Sequence, residues 1–102
     1  MLKEINIPNS VTIISASAFI RCIALEEIVI PESVTTIGNS VFSSCSSLKS
    51  IFIPSSVTSM GKTVFLNCSA LTIYCERQSK PSKGWQETWN SSGCTVVWGY
   101  NG

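Results

Sequence analysis

Apolar residues return along this chain at a fixed interval. Leu2, Leu25, Leu48 and Leu71 stand 23 residues apart. The same step relates Ile5, Ile28 and Ile51, then Ile7, Ile30 and Ile53, then Pro8, Pro31 and Pro54. It also relates Ser10, Ser33 and Ser56; Val11, Val34 and Val57; Thr12, Thr35 and Thr58; Phe19, Phe42 and Phe65; and Cys22, Cys45 and Cys68. A period of this size, kept in register through successive copies, is the mark of a solenoid. Each repeat forms one coil, and stacking buries the side chains that a single coil leaves exposed.

Within one coil the pattern assigns elements. Leu-x-x-Ile-x-Ile-Pro alternates at its end, which suits a short strand, and strands of successive coils would pair in parallel about 4.8 Å apart. Proline ends the ladder because it has no N–H to donate. The stretch from Ser33 to Gly38 turns the chain into a second short extended piece. The stretch from Ser40 to Cys45 predicts a single helical or 3-10 turn that returns the chain to the next strand. Three such coils occupy residues 1–70. After Leu71 the register breaks, because Ile73 falls where the 23-residue step expects the equivalent of Ser50. Residues 71–102 are therefore expected to be a C-terminal cap of mixed helix and strand. Its parts would be a strand from Leu71 to Cys75, a short helix from Ser82 to Asn90, and a last strand from Thr95 to Trp98. Trp85 and Trp89 lie four apart on that helix. Three tryptophans at this end fit a lid over the last coil better than a sugar-stacking platform.

The motif Cys-x-x-Leu-x-x-Ile-x-Ile-Pro-x-Ser-Val-Thr-x-Ile-Gly-x-x-x-Phe, carried by Cys22 to Phe42, resembles the BspA-type leucine-rich repeat. The resemblance runs from residue 2 to about residue 71. Departures are few: Ser15 stands where Gly38 and Gly61 do, Met60 replaces Ile, and Val41 and Val64 match the small Ala18. The tail, in Ile73 to Glu76 and Gly93 to Tyr100, is similar to the end-piece such arrays carry. The resemblance implies a right-handed leucine-rich-repeat coil with a short parallel sheet. It also implies a non-enzymatic protein-interaction module at a cell surface or in secreted form, in a family that includes adhesins. The other reading is a purely structural terminal block that caps a longer solenoid.

Cysteines fall into two groups. In stacked coils Cys22, Cys45 and Cys68 would sit near the strand spacing, wider than the 3.5–4.5 Å that a disulfide prefers between Cβ atoms. They are expected to be buried thiols, and equivalent rungs give no tetrahedral convergence on a metal. Cys75 and Cys94 are either a disulfide, closing 18 intervening residues and adding about 2–4 kcal/mol, or small core residues. Two sequons occur, Asn67-Cys68-Ser69 and Asn90-Ser91-Ser92; the first overlaps the buried ladder.

Composition narrows the function. The 102 residues are 44% hydrophobic and 13% charged, with a net charge of +1, so a packed core is expected and disorder is not. No basic stripe favours nucleic acid. The absence of histidine removes the usual general base, and no glycine-rich phosphate loop or nucleophile–base pair is visible. No enzyme activity, cofactor or metal is expected. No apolar run is long enough to span a membrane, and Met1 to Ile5 does not read as a signal peptide. The outward positions of the predicted sheet are Glu4 and Asn6, Glu27 and Val29, and Ser50 and Phe52, and these are the candidate partner-binding residues for a protein or glycan ligand. The repeat opens mid-coil at Leu2, which predicts self-association through residues 2–20 or fraying of that coil.

Overall fold

The structure, a computed structural model, describes residues 4–101. Leu2, the first of the leucine column, lies outside them. Among these residues eight short strands follow one another. Each of the first three coils contributes one strand to a front row and one to a side row. The front row is β1 (Glu4–Asn6), β3 (Glu27–Val29), β5 (Ser50–Ile53), β7 (Thr72–Cys75) and β8 (Thr95–Trp98). The side row is β2 (Ile13–Ile14), β4 (Thr36–Ile37) and β6 (Ser59–Met60). All pairings are parallel. On the front row β1 pairs β3, and β5 pairs β7, which pairs β8; β3 and β5 lie side by side as parts of separate ladders. A single bridge between Met60 and Trp85 extends the side row into a fourth coil.

The repeat columns become ladders through the stack. Leu25, Leu48 and Leu71 are buried, as are Ile28, Ile51 and Ile73, and Val34 and Val57. Phe19, Phe42 and Phe65 stack with ring centroids 5.7 and 5.6 Å apart and planes within 13° of parallel. After each proline a tight turn closes, with the N–H of Val11, Val34 and Val57 donating to the carbonyl of Pro8, Pro31 and Pro54. Polar columns tie coil to coil. The hydroxyl of Ser33 donates to Val11 O at 2.7 Å, and that of Ser56 to Val34 O at 2.9 Å. Gly38 and Gly61 mark close approaches between coils: a Cβ on Gly61 would lie 2.6 Å from the Asn39 nitrogen and the Gly38 carbonyl carbon.

The helical or 3-10 turns expected from Ser40 to Cys45 and its equivalents are not formed; among the described residues there is no helix. The reason is where the N–H groups go. Those of Ser40, Phe42 and Ser44 donate to Lys62, Val64 and Leu66 of the next coil, while those of Ser43 and Cys45 close turns onto Ser40 and Phe42. Alternation between the two leaves no run of bonds within the segment. The backbone adapts with left-handed residues, again at the repeat spacing: Ser17, Ser40 and Thr63 form one column and Arg21, Ser44 and Asn67 the other, with φ between 51° and 62°. No helix passes through such positions.

The C-terminal segment is a second correction. In place of a separate cap of helix and strand, residues 72–98 continue the solenoid through a fourth coil to β8. The helix expected from Ser82 to Asn90 is absent. The carbonyls of Gly84 and Thr88 accept from Met60 and Thr63 of the third coil, so they are not available to a helix of their own. The register break seen in the sequence is a one-residue slip. Glu4 pairs with Glu27 and Thr72 with Thr95, steps of 23, but Ser50 pairs with Thr72, a step of 22. Because side chains alternate faces along a strand, the slip returns Ile73 and Cys75 to the interior, where both are buried.

The cysteines are free thiols. Cys45 Sγ donates to Phe19 O at 3.2 Å and Cys68 Sγ to Phe42 O at 3.0 Å, so the column serves as a rung of inter-coil bonds. Cys94 joins it, 3.4 Å from Cys68 O. The alternative of a Cys75–Cys94 disulfide is not realised. Cys75 pairs with Trp98 across the β7–β8 ladder and Cys94 precedes Thr95, which sets them four positions, about 13 Å, apart along the strands. A disulfide needs Cα atoms within about 7 Å.

Candidate interaction surface

Alternation along the front strands sends every second side chain outward. The first outward row is Glu4, Glu27, Ser50, Thr72 and Thr95; the second is Asn6, Val29, Phe52, Tyr74 and Val97. All six residues singled out from the sequence therefore lie on one face. Five of them are exposed, Val29 at 63%. Phe52 is only half-buried rather than fully exposed, because Tyr100 folds over it with ring centroids 6.0 Å apart. Tyr100 also leans on Tyr74 at 4.7 Å. Gly99, at φ 72°, makes the reversal that brings it there, and Tyr100 N donates to Cys75 O at 2.9 Å.

Sequence reasoning missed Thr72, Tyr74, Thr95, Val97 and Tyr100. For Tyr74 the signal was present in Thr72-Ile73-Tyr74-Cys75, whose alternation fixes its face once Ile73 points inward. Tyr100 had no such signal, since its place depends on the turn at Gly99.

Charge is distributed unevenly on this face. Glu4 and Glu27 are direct partners on adjacent strands. Residues 22–48 hold Glu26, Glu27 and Glu32 and no lysine or arginine. In the repeat pattern Lys3 and Lys49 stand one coil on either side of Glu26. Towards the other end, Glu76 accepts the Ser55 N–H at 2.7 Å, and Arg77 donates to Ser55 O at 3.0 Å. The hydrogen bonds from Ser55, backbone first, hold the Glu76 carboxyl below the usual carboxylate range.

Away from this face the chemistry is quiet. Burial pushes the Cys45 and Cys75 thiols up to about 12, so neither is a nucleophile near neutral pH. Among the described residues no three metal-ligating side chains gather, and no helix is long and apolar enough to cross a membrane. Trp85 and Trp89 are buried; Trp89 packs edge-on against Phe65 with ring centroids 6.1 Å apart, and Trp85 Nε1 donates to Val57 O. Their faces are closed to a sugar. Asn90 of the second sequon is also engaged, donating to Cys94 O and accepting from Cys94 N, both at 2.9 Å.

Comparison with known proteins agrees with this architecture. Among curated proteins nothing matches. Among solved structures, a leucine-rich cell surface protein from Faecalibacterium prausnitzii A2-165 superposes with a TM-score of 0.50 at 25% identity. The match takes in 98% of this chain and 36% of that one, so the chain spans about a third of the length of that relative. The model of the BspA-type leucine-rich repeat region matches residues 1–80 in 6 copies. With its columns stacked as continuous ladders and its strands in parallel rows, this chain belongs to the BspA-type leucine-rich repeat family.

Proposed function

We propose that this chain is a non-enzymatic protein-interaction module, at a cell surface or secreted, whose partner docks across the outward face of β1, β3, β5, β7 and β8. One observation carries the reading: Val29, Phe52, Tyr74, Val97 and Tyr100 form a row of apolar and aromatic side chains on a sheet whose opposite face is the core. Exposed apolar surface of this kind is characteristic of interaction sites, and aromatic side chains are enriched there. Adhesion is the form of interaction that a cell-surface relative suggests. The absence of histidine and the raised thiols support a non-catalytic role. A second reading, a structural block that ends a longer array, draws on the tryptophans packed beyond Phe65.

Panning a displayed random-peptide library against the chain and against a Val29→Asp/Val97→Asp variant separates the two. A docking face yields ligands that bind the parent and lose the variant, with both proteins melting alike. Recovery of the same ligands by both, or no enrichment at all, leaves the structural block as the function.

A further inference from the structure

We propose that the occupant of this face is an extended polypeptide segment that carries lysine or arginine towards one end and apolar residues towards the other. The inference rests on the docking reading above and adds the chemistry of the partner. Three features of the face select it.

The first is charge. Glu4 and Glu27 stand directly beside each other on paired strands, and like charges so placed are unfavourable unless a cation joins them. The coil of Glu27 has no cation of its own; the nearest in sequence to the pair are Lys3 and Arg21. A cation from a partner would meet two carboxylates at once. The second is the distance between rows. Glu27 and Val29 are two positions apart on one strand, roughly 7 Å. A lysine or arginine stem lying over Val29 would therefore carry its head to Glu27 and Glu4, with the stem on apolar surface and the charge in water. The third is length. Five strands span about 19 Å at the strand spacing, which matches about six residues of extended chain.

Towards β7 and β8 the face changes from acidic to aromatic, so apolar partner residues would meet Phe52, Tyr74 and Val97. An exposed Tyr100 ring also suits an arginine. The rings argue against a glycan: Tyr100 is inclined 59° to Phe52 and 49° to Tyr74, so they offer no common plane on which a sugar could stack. The acidic end argues against nucleic acid, whose phosphates it would repel.

The test is fluorescence anisotropy on the full chain, with two labelled peptides of about eight residues, enough to exceed the length of the face. One carries lysines in its first half and leucines in its second, and the other has glutamates in place of the lysines. The lysine peptide should bind at least tenfold more tightly, and its affinity should fall as salt rises. Glu27→Gln should weaken it severalfold while its melting temperature stays level or rises, and Val29→Ser should weaken both peptides. Equal binding of the two peptides that Val29→Ser abolishes would overturn the basic partner while leaving the docking face intact. Lysine-peptide binding unaffected by either variant, or failure of both peptides to bind, also overturns the proposal; the library panning then judges the face by itself. Because Glu27 and Val29 are exposed, neither substitution threatens the fold, and melting curves confirm it.

Discussion

At the scale of single residues, position in the stack sets the cost of a change. Phe42 has a ring at 5.7 Å on one side and 5.6 Å on the other and is fully buried. Truncation to alanine removes the side chain and leaves a cavity that ladders on both sides hold open, a loss of about 3–5 kcal/mol. Phe19 is half-buried with a single stacking partner, so Phe19→Ala should cost clearly less. Urea melts of the two variants check the order; equal losses would mean that the ladder is not the core. The thiols give a second prediction at this scale. Burial raises Cys45, Cys68, Cys75 and Cys94 above the ordinary value of 9.0, Cys45 and Cys75 to about 12. A folded state that holds its thiol protons more tightly than the unfolded chain is favoured below the unfolded value. That advantage is lost as pH rises from about 9 towards 12. The protein should therefore be alkali-labile, and replacing Cys75 with alanine or valine should flatten the fall. Thermal melts from pH 7 to 11 check it, and an unchanged slope in the variant would remove Cys75 as a cause.

At the scale of elements, β8 is an edge strand. It pairs only with β7, and its inward residues Val96 and Trp98 are partly exposed. Asn90 secures its start by bonding both the N–H and the carbonyl of Cys94. Asn90→Ala should cost about 1–3 kcal/mol and raise amide exchange in residues 95–98 before it does so in β5. Uniform protection across both strands would show that Asn90 does not hold the strand in place.

The elements also show what could be read from the sequence. Both rows of strands in the first three coils follow from the columns, because a ladder repeats whatever one coil does. The outward face followed from the same alternation, down to Glu27 and Val29. What escaped was the return segment and the end. Ser40 to Cys45 has apolar spacing compatible with a helical turn, and nothing local says that its N–H groups alternate between neighbouring coils. The segment around Trp85 and Trp89 misled for the same reason: spacing by four suits a helix, but the third coil had already claimed its carbonyls. Whether Cys75 and Cys94 can join depends on strand register, which neither position shows locally. The one-residue slip that sets this register is visible only once Ile73 is required to point inward.

At the scale of the whole molecule, almost every inter-coil bond joins residues one repeat apart. Val11 to Ser33, Phe19 to Cys45 and Val34 to Ser56 are typical. In a quasi-one-dimensional stack each coil depends only on its neighbours, so the molecule should tolerate the loss of a whole coil far better than the loss of part of one. Deleting residues 25–47, 23 in all, joins Ala24 to Leu48 and sets Ile28's and Phe42's places directly to Ile51 and Phe65. That shortened chain should fold, with lower stability but the same circular dichroism. Removing one residue more or fewer should leave no cooperative transition. A folded product from the off-period deletion would show that register is not what holds the stack.

The equivalence of the first three coils reaches beyond the folded molecule to its inheritance. A DNA segment that encodes one coil can be lost or duplicated by unequal recombination between near-identical repeats, and the product still stacks. Array length is thus free to drift in whole coils without passing through a broken protein. The slip between β5 and β7 limits that freedom. A crossover within β7 that aligned the coils by 23 residues in place of 22 would break the alternation of that strand. The stretch from β5 to β7 is therefore expected to be inherited whole, while the 23-residue coils before it multiply.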